Sequence, residues 1–377
     1  MVQDSSLPIP HQTLRQLVDL HPERLLQRST TLFDTNPIAG AIRDQVIVLT
    51  GAAGSIGSEL ALQIAALHPQ HLYLLDQNEA GLYQLEQELI DQRIEAMLYS
   101  PILCDITDGL RLQKLFDNLR PQLVFHAAAY KHVPMMEQHP YEALRTNVLG
   151  TKIIADLSLK YGVKKFIFIS TDKTANPSNV MGATKKLAEQ YIQTLQNCPM
   201  NRTGFTIVRF GNVLGSSGSV VPLFVSQIER GGPVTVTHPD MSRYFMTIPE
   251  ACQLVLEASA MDSQGQVYLF DMGSPVRIVD LAINMIRLAG LKEYEDIGIA
   301  FVGLRPGEKL CEELCNQQEQ LLPSHHPKLR MVQSRSLAPL TTDQALLNFI
   351  AKSVEMTSRQ IKQMLAHYVP TYHENYG

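Results

Sequence analysis

The feature that most limits how this chain can fold is Gly51-Ala-Ala-Gly54-Ser55-Ile56-Gly57. It directly follows the β-branched run QVIVLT and opens the helical pattern SELALQIAAL. In such a strand–turn–helix, Gly51 permits the tight turn and Gly54 lets the backbone approach a pyrophosphate. Gly57 allows the helix to pack closely on the strand. The helix start at Ser55 and Ile56 offers backbone N–H groups to phosphates. Asp76 ends the next apolar run, HLYLLD, 19 residues past Gly57. It is placed to accept hydrogen bonds from an adenosine ribose. The following Gln77-Asn78-Glu79 supplies no cation for a 2′-phosphate, and Asp76 would repel one. The pattern therefore favours NAD over NADP.

Strand-like and helical segments then alternate. HLYLLD, MLYSPIL, LVFHAAA, KFIFIST and FTIVRFGNV read as further strands. Between them lie helical patterns, including a long one over EALRTNVLGTKIIADLSLKYG and another over NVMGATKKLAEQYIQTL. This order predicts an α/β, Rossmann-type doubly wound parallel sheet. Cys104-Asp105-Ile106 follows the third strand and suits an adenine edge, with Asp105 accepting from the exocyclic amine. A helix N-cap role for Asp105 fits the sequence nearly as well.

Four regions are expected. Residues 1–44 form a helical lead-in, broken at Pro22 and continuing into an irregular connector, TLFDTNPIAGAI. Residues 45–213 form the dinucleotide-binding core. In 214–335 the alternation gives way to GSSGSVVPLF and ERGGPVTVTHPDMSRYF, which read as loops and short elements over the sheet's carboxyl edge. That smaller region is expected to bind substrate. Residues 336–377 form a helical tail.

Composition excludes several classes. With 32 basic and 37 acidic residues the net charge is −5, so no basic nucleic-acid surface is expected. Five cysteines without a CxxC pair argue against a zinc site or a disulfide framework. Cys311 and Cys315, one helical turn apart, read as packing residues, and no metal cluster is suggested. No signal peptide and no apolar stretch long enough to span a membrane is visible. A soluble, cytoplasmic protein is expected.

The fifth strand ends in Ser170-Thr171-Asp172-Lys173, and the next helix carries Met181-Gly-Ala-Thr-Lys185. Met181 and Lys185, four apart, share a helix face. With the glycine turn, these features resemble the extended short-chain dehydrogenase/reductase superfamily. Its usual pair is YxxxK; here Met181 holds the tyrosine position and can neither ionise nor donate a proton. Four longer stretches narrow the resemblance: HAAAYKHVPMMEQHPYEALRTNVLGT, STDKTANPSNVMGATKKLAE, VRFGNVLGSSGSVVPLF and GLRPGEKLCEEL. They look like the UDP-N-acetylglucosamine 4,6-dehydratases of bacterial polysaccharide and glycoprotein sugar synthesis, over about residues 30–370. The C5-inverting branch normally keeps the tyrosine. The retaining branch, usually attached to membrane-spanning helices, has Met there, and Met181 places this chain with it. Lacking such helices, the chain resembles a free-standing catalytic domain.

The resemblance implies hydride removal from C4 by NAD, loss of water across C5 and C6, and hydride return to C6. It implies Asp172 as the acid at O6, Lys173 as the base at C5, and Thr171 at the C4 oxygen. Burial should keep Asp172 protonated and help Lys173 lose its proton. The O4 proton could leave through Thr171, Asp172 or water. Lys185 should bond the nicotinamide ribose, and Ala127 and Ala128 should border the cofactor. A UDP-sugar would meet Arg243 and Arg305 at its diphosphate, Glu308 at the uridine ribose, Asn212, and Lys131 near the nicotinamide. His126 and His132 read as structural. Self-association into a homo-oligomer is expected. The alternatives are a C5-inverting dehydratase, a UDP-hexose epimerase, or a non-catalytic NAD-binding protein.

Overall fold

Nine strands drawn from most of the chain's length form one sheet in the computed structural model. It describes residues 14, 18, 22–26, 36–199, 201–261, 265–334 and 343–374. The strands are β1 (Val46–Thr50), β2 (His71–Asp76), β3 (Tyr99–Leu103), β4 (Leu123–His126), β5 (Lys165–Ile169), β6 (Gly204–Arg209), β7 (Gln266–Phe270), β8 (Glu319–Pro323) and β9 (Leu329–Ser334). Their order is β8-β9-β7-β6-β5-β4-β1-β2-β3. From β3 to β7 every neighbouring pair is parallel. β9 runs antiparallel to both β7 and β8. The 3-2-1-4-5-6 portion is the Rossmann-type doubly wound order. It reverses between β1 and β4, opening a crevice at the carboxyl ends of those strands.

The sequence explains the layers. Strands of a parallel sheet are covered on both faces, so their residues are apolar in near-continuous runs. In β1, Ile47 and Leu49 enter one core cluster and Val48 enters another on the opposite face. Each such buried aliphatic side chain contributes about 1.5–3 kcal/mol. Helices begin where polar side chains cap them. Asn78, Asp108, Asn179 and Thr247 accept from the amides of Gly81, Arg111, Gly182 and Glu250. Each cap contributes about 1 kcal/mol.

Several elements depart from expectation. Most of the 1–44 lead-in lies outside the described residues, but Leu14, Val18, Leu25 and Leu26 pack into the core of the 214–300 region. The connector holds a helix, Asn36–Ile42, because Pro37 is tolerated in a first turn and Ile38 and Ile42 share a buried face. The sheet does not stop at residue 213, since β7, β8 and β9 extend it. GSSGSVVPLF is not all loop: a helix runs from Val220 to Glu229. The long helix after β4 is interrupted by a π-helical stretch, Leu144–Gly150, ahead of Thr151–Lys160. The Cys311–Cys315 segment is not helical. The tail forms helices Asp343–Ser353 and Ser358–Tyr368, while residues 335–342 lie outside the described set. All five cysteines are free. No described helix is long and apolar enough to cross a membrane.

Candidate active site

The glycine turn sits at the crevice between β1 and β4. Gly51 has φ 70°, and a Cβ there would come 2.5 Å from the Ala128 nitrogen. A Cβ on Gly57 would come 2.0 Å from the Gly51 carbonyl oxygen. Turn, helix and the Ala127-Ala128 connection are thus pressed together by the absence of side chains. A Cβ on Gly54 would meet only the Gly51 oxygen, at 3.3 Å. Gly54 is also the N-cap of helix Ser55–Ala65 and makes no side-chain cap bond. The turn therefore has the close, cap-free backbone that a pyrophosphate needs.

Asp76 braces this turn. Its Oδ2 accepts from the Ala53 amide at 2.9 Å and its Oδ1 from the Asn78 amide at 2.9 Å. A carboxylate oxygen can accept a second bond, so capacity for a ribose remains. Asp105 accepts from the Thr107 amide and hydroxyl at 2.8 and 2.9 Å, and from Arg145 at 3.0 Å. Desolvation raises its pKa, but the Thr107 bonds and the Arg145 charge win and hold it below the usual range. Asp108, not Asp105, caps the following helix. Ile106 packs against Gly150 in the π-helical stretch. Asn147 in that stretch accepts from the Tyr130 amide and donates to Thr184, tying the post-β4 connection to the helix Val180–Gln196.

The segment after β5 gathers the groups that the sequence resemblance makes candidates for the chemistry. Asp172 is 1% exposed; its Oδ1 accepts from the Thr171 hydroxyl at 2.9 Å and from Lys173 Nζ at 3.1 Å. Its Oδ2 is buried, has no hydrogen-bond partner among the described residues, and faces Gly211. Lys173 Nζ also donates to Asn212 Oδ1 at 3.3 Å and lies 3.5 Å from Glu312. Burial alone does not free this lysine of its proton. Desolvation lowers its pKa, but Asp172 and Glu312 outweigh that and hold it above the ordinary value.

The helix Val180–Gln196 presses on this segment. A Cβ on Gly182 would come 2.6 Å from the Lys173 carbonyl oxygen, so glycine sets the approach. Met181 is 5% exposed and packs in the core with Val180, Leu187 and the tail. Lys185 Nζ donates to the Ile169 carbonyl at 2.7 Å and lies 3.8 Å from the Phe168 ring centroid. Burial lowers its pKa to about 7. His126, fully buried, bonds Thr50 and Thr151. Thr151 donates to the Asn147 carbonyl, so His126 must donate to Thr151 through Nε2 and accept from Thr50. It is a neutral structural histidine.

On the substrate side, Arg243, expected on a phosphate, is engaged by its own chain. Its Nη1 donates to the Ser242 and Leu310 carbonyls and its Nη2 to that of Lys309. Its Nε lies 3.6 Å from Glu312. A buried guanidinium must find acceptors, and here the Lys309 and Leu310 carbonyls belong to the segment carrying Arg305 and Glu308. Arg305 is exposed, and its amide donates to Glu308 at 3.2 Å. Lys131 is exposed on the connection after β4, and His132 packs against Gly218. The structure thus brings Thr171, Asp172, Lys173 and Asn212 into one bonded group and links Arg243 to it through Glu312. Glu312 was not legible as a site residue, because nothing in CEEL distinguishes it from Glu313.

The sequence profile of the polysaccharide biosynthesis protein family matches residues 47–334. The chain belongs to that family. The capsular polysaccharide biosynthesis protein CapD of Staphylococcus aureus is 51% identical over 306 residues, 81% of this chain and 51% of CapD. The chain therefore spans about half the length of that relative. Among solved structures, Pen from Bacillus thuringiensis has a TM-score of 0.71 at 30% identity, covering 86% of this chain and 99% of Pen. A double mutant of DesIV, the dTDP-glucose 4,6-dehydratase of Streptomyces venezuelae, was crystallised with NAD and DAU. It shares the fold, with a TM-score of 0.63 at 20% identity over 71% of this chain and 87% of its own. The family assignment agrees with the motifs of the sequence, and the shared fold with the Rossmann-type core.

Proposed function

We propose that this chain is an NAD-dependent UDP-N-acetylglucosamine 4,6-dehydratase that retains C5 configuration, serving bacterial polysaccharide or glycan sugar biosynthesis. The observation that carries the reading is the bonded Thr171–Asp172–Lys173 group, with the buried, unpartnered Asp172 Oδ2. Gly51, Gly54, Ser55, Ile56 and Gly57 would hold the NAD pyrophosphate. Asp76 would hold the adenosine ribose, Asp105 and Ile106 the adenine, and Ala127, Ala128 and Lys185 the nicotinamide end. Bound NAD⁺ supplies a hydride acceptor for C4 and a hydride donor for C6.

The chain's own task is moving protons. Asp172 and Lys173 sit 3.1 Å apart as an ion pair. Passing one proton from Lys173 to Asp172 creates a carboxylic acid and a free amine without changing the net charge. That is the working pair: the amine takes the C5 proton, and the acid protonates O6 as it leaves as water. The C5 proton returns to C5 when the hydride reaches C6, which restores the amine. The O4 proton, released while Asp172 is still protonated, leaves past Thr171 to solvent. Once Asp172 has given its proton to O6, a solvent proton restores it, with Thr171 bonded to its Oδ1. Arg305 and Lys131 offer positive charge to the sugar-nucleotide diphosphate and the reacting end. Glu308 and Asn212 offer acceptors, and Arg243 holds the Arg305 segment in place.

The test is mass spectrometry of UDP-N-acetylglucosamine after incubation with enzyme and NAD in D₂O. Loss of one water without net NADH accumulation is expected, with C5 configuration read by NMR of the product. Asp172→Asn should slow dehydration by about 10²–10⁴-fold, the usual contribution of a general acid. An unchanged sugar mass, or full dehydration by Asp172→Asn, would overturn the reading.

A further inference from the structure

We infer that Glu312 is a positioning residue for Lys173, holding its amine beside Asp172 and setting how readily it gives up its proton. The inference rests on the dehydratase reading for its catalytic consequence, though not for its structural content.

Glu312 is far from Lys173 in sequence, yet its side chain is only 7% exposed. A single oxygen, Oε1, stands 3.5 Å from Lys173 Nζ and 3.6 Å from Arg243 Nε. The placement is built. Arg243 ties down the carbonyls of Lys309 and Leu310 on one side of Glu312. Ser178 and Asn179 donate to the Gly307 carbonyl, and Asn316 donates to that of Ala175. Asn176 donates to Glu313. The segment is thus laid along residues 175–179, immediately beyond the reactive pair.

Charge explains what this placement does. The groups facing Lys173 are Asp172, Glu312 and Arg243, and Lys309 stands near Glu312. Asp172, Glu312, Lys173 and Arg243 sum to zero. If Asp172 and Lys173 exchange a proton between themselves, Arg243 still balances Glu312. Glu312 is therefore not needed to neutralise the working pair. Its effect falls on the ammonium, which it favours over the amine. Burial lowers the Lys173 pKa, and the two carboxylates reverse that. Removing one should move the lysine toward the neutral form that abstracts a proton.

The test follows the Lys173 side chain by NMR in protein labelled at lysine ¹³Cε and loaded with NAD, the signal being assigned by its loss in Lys173→Arg. In Glu312→Gln the titration midpoint should fall by about one pH unit or more, the usual effect of losing an opposite charge at this range. Glu312→Asp keeps the charge but withdraws it by one methylene, so its midpoint should lie between the two. The limb of the kcat/KM profile that falls at high pH, where the pair loses its last proton and O6 loses its acid, should move in the same direction in Glu312→Gln. A residue that merely holds the loop would lower activity with every midpoint unmoved, and that result would overturn the inference. If Glu312→Gln does not fold, a Glu312→Asp midpoint equal to wild type overturns it too. Failure of the wild type to dehydrate the sugar would sink the proposed function alone, because the NMR midpoint needs no turnover.

Discussion

Met181, at the position where the superfamily resemblance puts a tyrosine, can fill space but cannot carry a proton. It is buried among Val180, Leu187, Tyr191, Leu346 and Phe349, the last two from the tail. Packing therefore accounts for the residue without any chemical role. Met181→Leu, which nearly conserves volume, should cost less than about 1.5 kcal/mol and leave turnover nearly unchanged. Met181→Ala should cost about 2–5 kcal/mol through the cavity it leaves. Urea unfolding and turnover measured on the same preparations test this. A Met181→Leu enzyme of normal stability but without activity would give the thioether a chemical role. Thr171, Asp172 and Lys173, adjacent in the chain, are also bonded to one another in space, so their grouping is visible in the sequence. Glu312 was missed because that residue's partners, Lys173 and Arg243, are joined to it by tertiary packing. The carbonyls of Ser242, Lys309 and Leu310 that Arg243 meets were not visible either, since a sequence does not reveal which backbone carbonyls a guanidinium will meet.

Between elements, a buried polar network spans helix and sheet. Glu189 on the helix Val180–Gln196 accepts from Arg209 Nε at 2.8 Å and Nη2 at 2.6 Å, at the end of β6. Arg209 Nη1 donates to Glu319 at the start of β8 at 2.9 Å. Ser170 and Thr174, flanking Thr171–Lys173, donate to Glu189 as well. Desolvation raises the Glu189 pKa, but Arg209 and Lys186 outweigh it and bring it to about 2. The unfolded carboxyl, near 4.5, binds more protons than the folded one between those values. Stability from this group is therefore present above pH 4.5 and is lost as pH falls through about 2. Glu189→Gln leaves Arg209 short of a buried partner and should cost about 3–5 kcal/mol at neutral pH. Urea midpoints at descending pH should show the wild-type advantage shrinking below pH 4.5. An advantage independent of pH would mean that shape, not charge, holds the contact. Periodicity made the six strands up to β6 legible, because each is an apolar run between turn residues. β7, β8 and β9 were missed: β7 is an apolar run but lies past the break in strand–helix alternation, and β8 and β9 form an antiparallel edge whose mixed residues carry no such run. The π-helical break at Leu144–Gly150 was also hidden, since its apolar spacing passes for a regular helix.

At the scale of the whole molecule, the C-terminal tail stands behind the helix that carries Met181 and Lys185 rather than apart from it. Leu346, Phe349, Ile350, Ile361, Leu365, Val369 and Tyr372 share one core cluster with Met181. Lys362 binds Glu137 at 2.6 Å and Glu374 at 2.7 Å, and Glu137 in turn accepts from the Val180 amide at 2.7 Å. The His373 amide donates to the Pro177 carbonyl. The tail thus fixes both the start of the Met181 helix and the 175–179 segment on which the Arg305 and Glu312 loop is laid. A helical tail was legible from its apolar spacing, but its target was not, because amphipathic spacing shows that a face is buried and not against what. The cofactor turn lies at another boundary of the sheet, between β1 and β4, and Asp76 and Ala128 brace it without help from the tail. The two functions should therefore separate. Lys362→Ala removes the cation that holds Glu137 against the Val180 amide. It should lower turnover and raise KM for the sugar nucleotide, because the reactive segment and the loop laid upon it loosen together. NAD affinity, measured by calorimetry, should stay close to wild type. Lys362→Arg keeps a donor to Glu137 and should recover most of the turnover. Parallel losses of NAD affinity and turnover in Lys362→Ala would mean that the tail supports the whole sheet, and the separation argued from these contacts would be wrong.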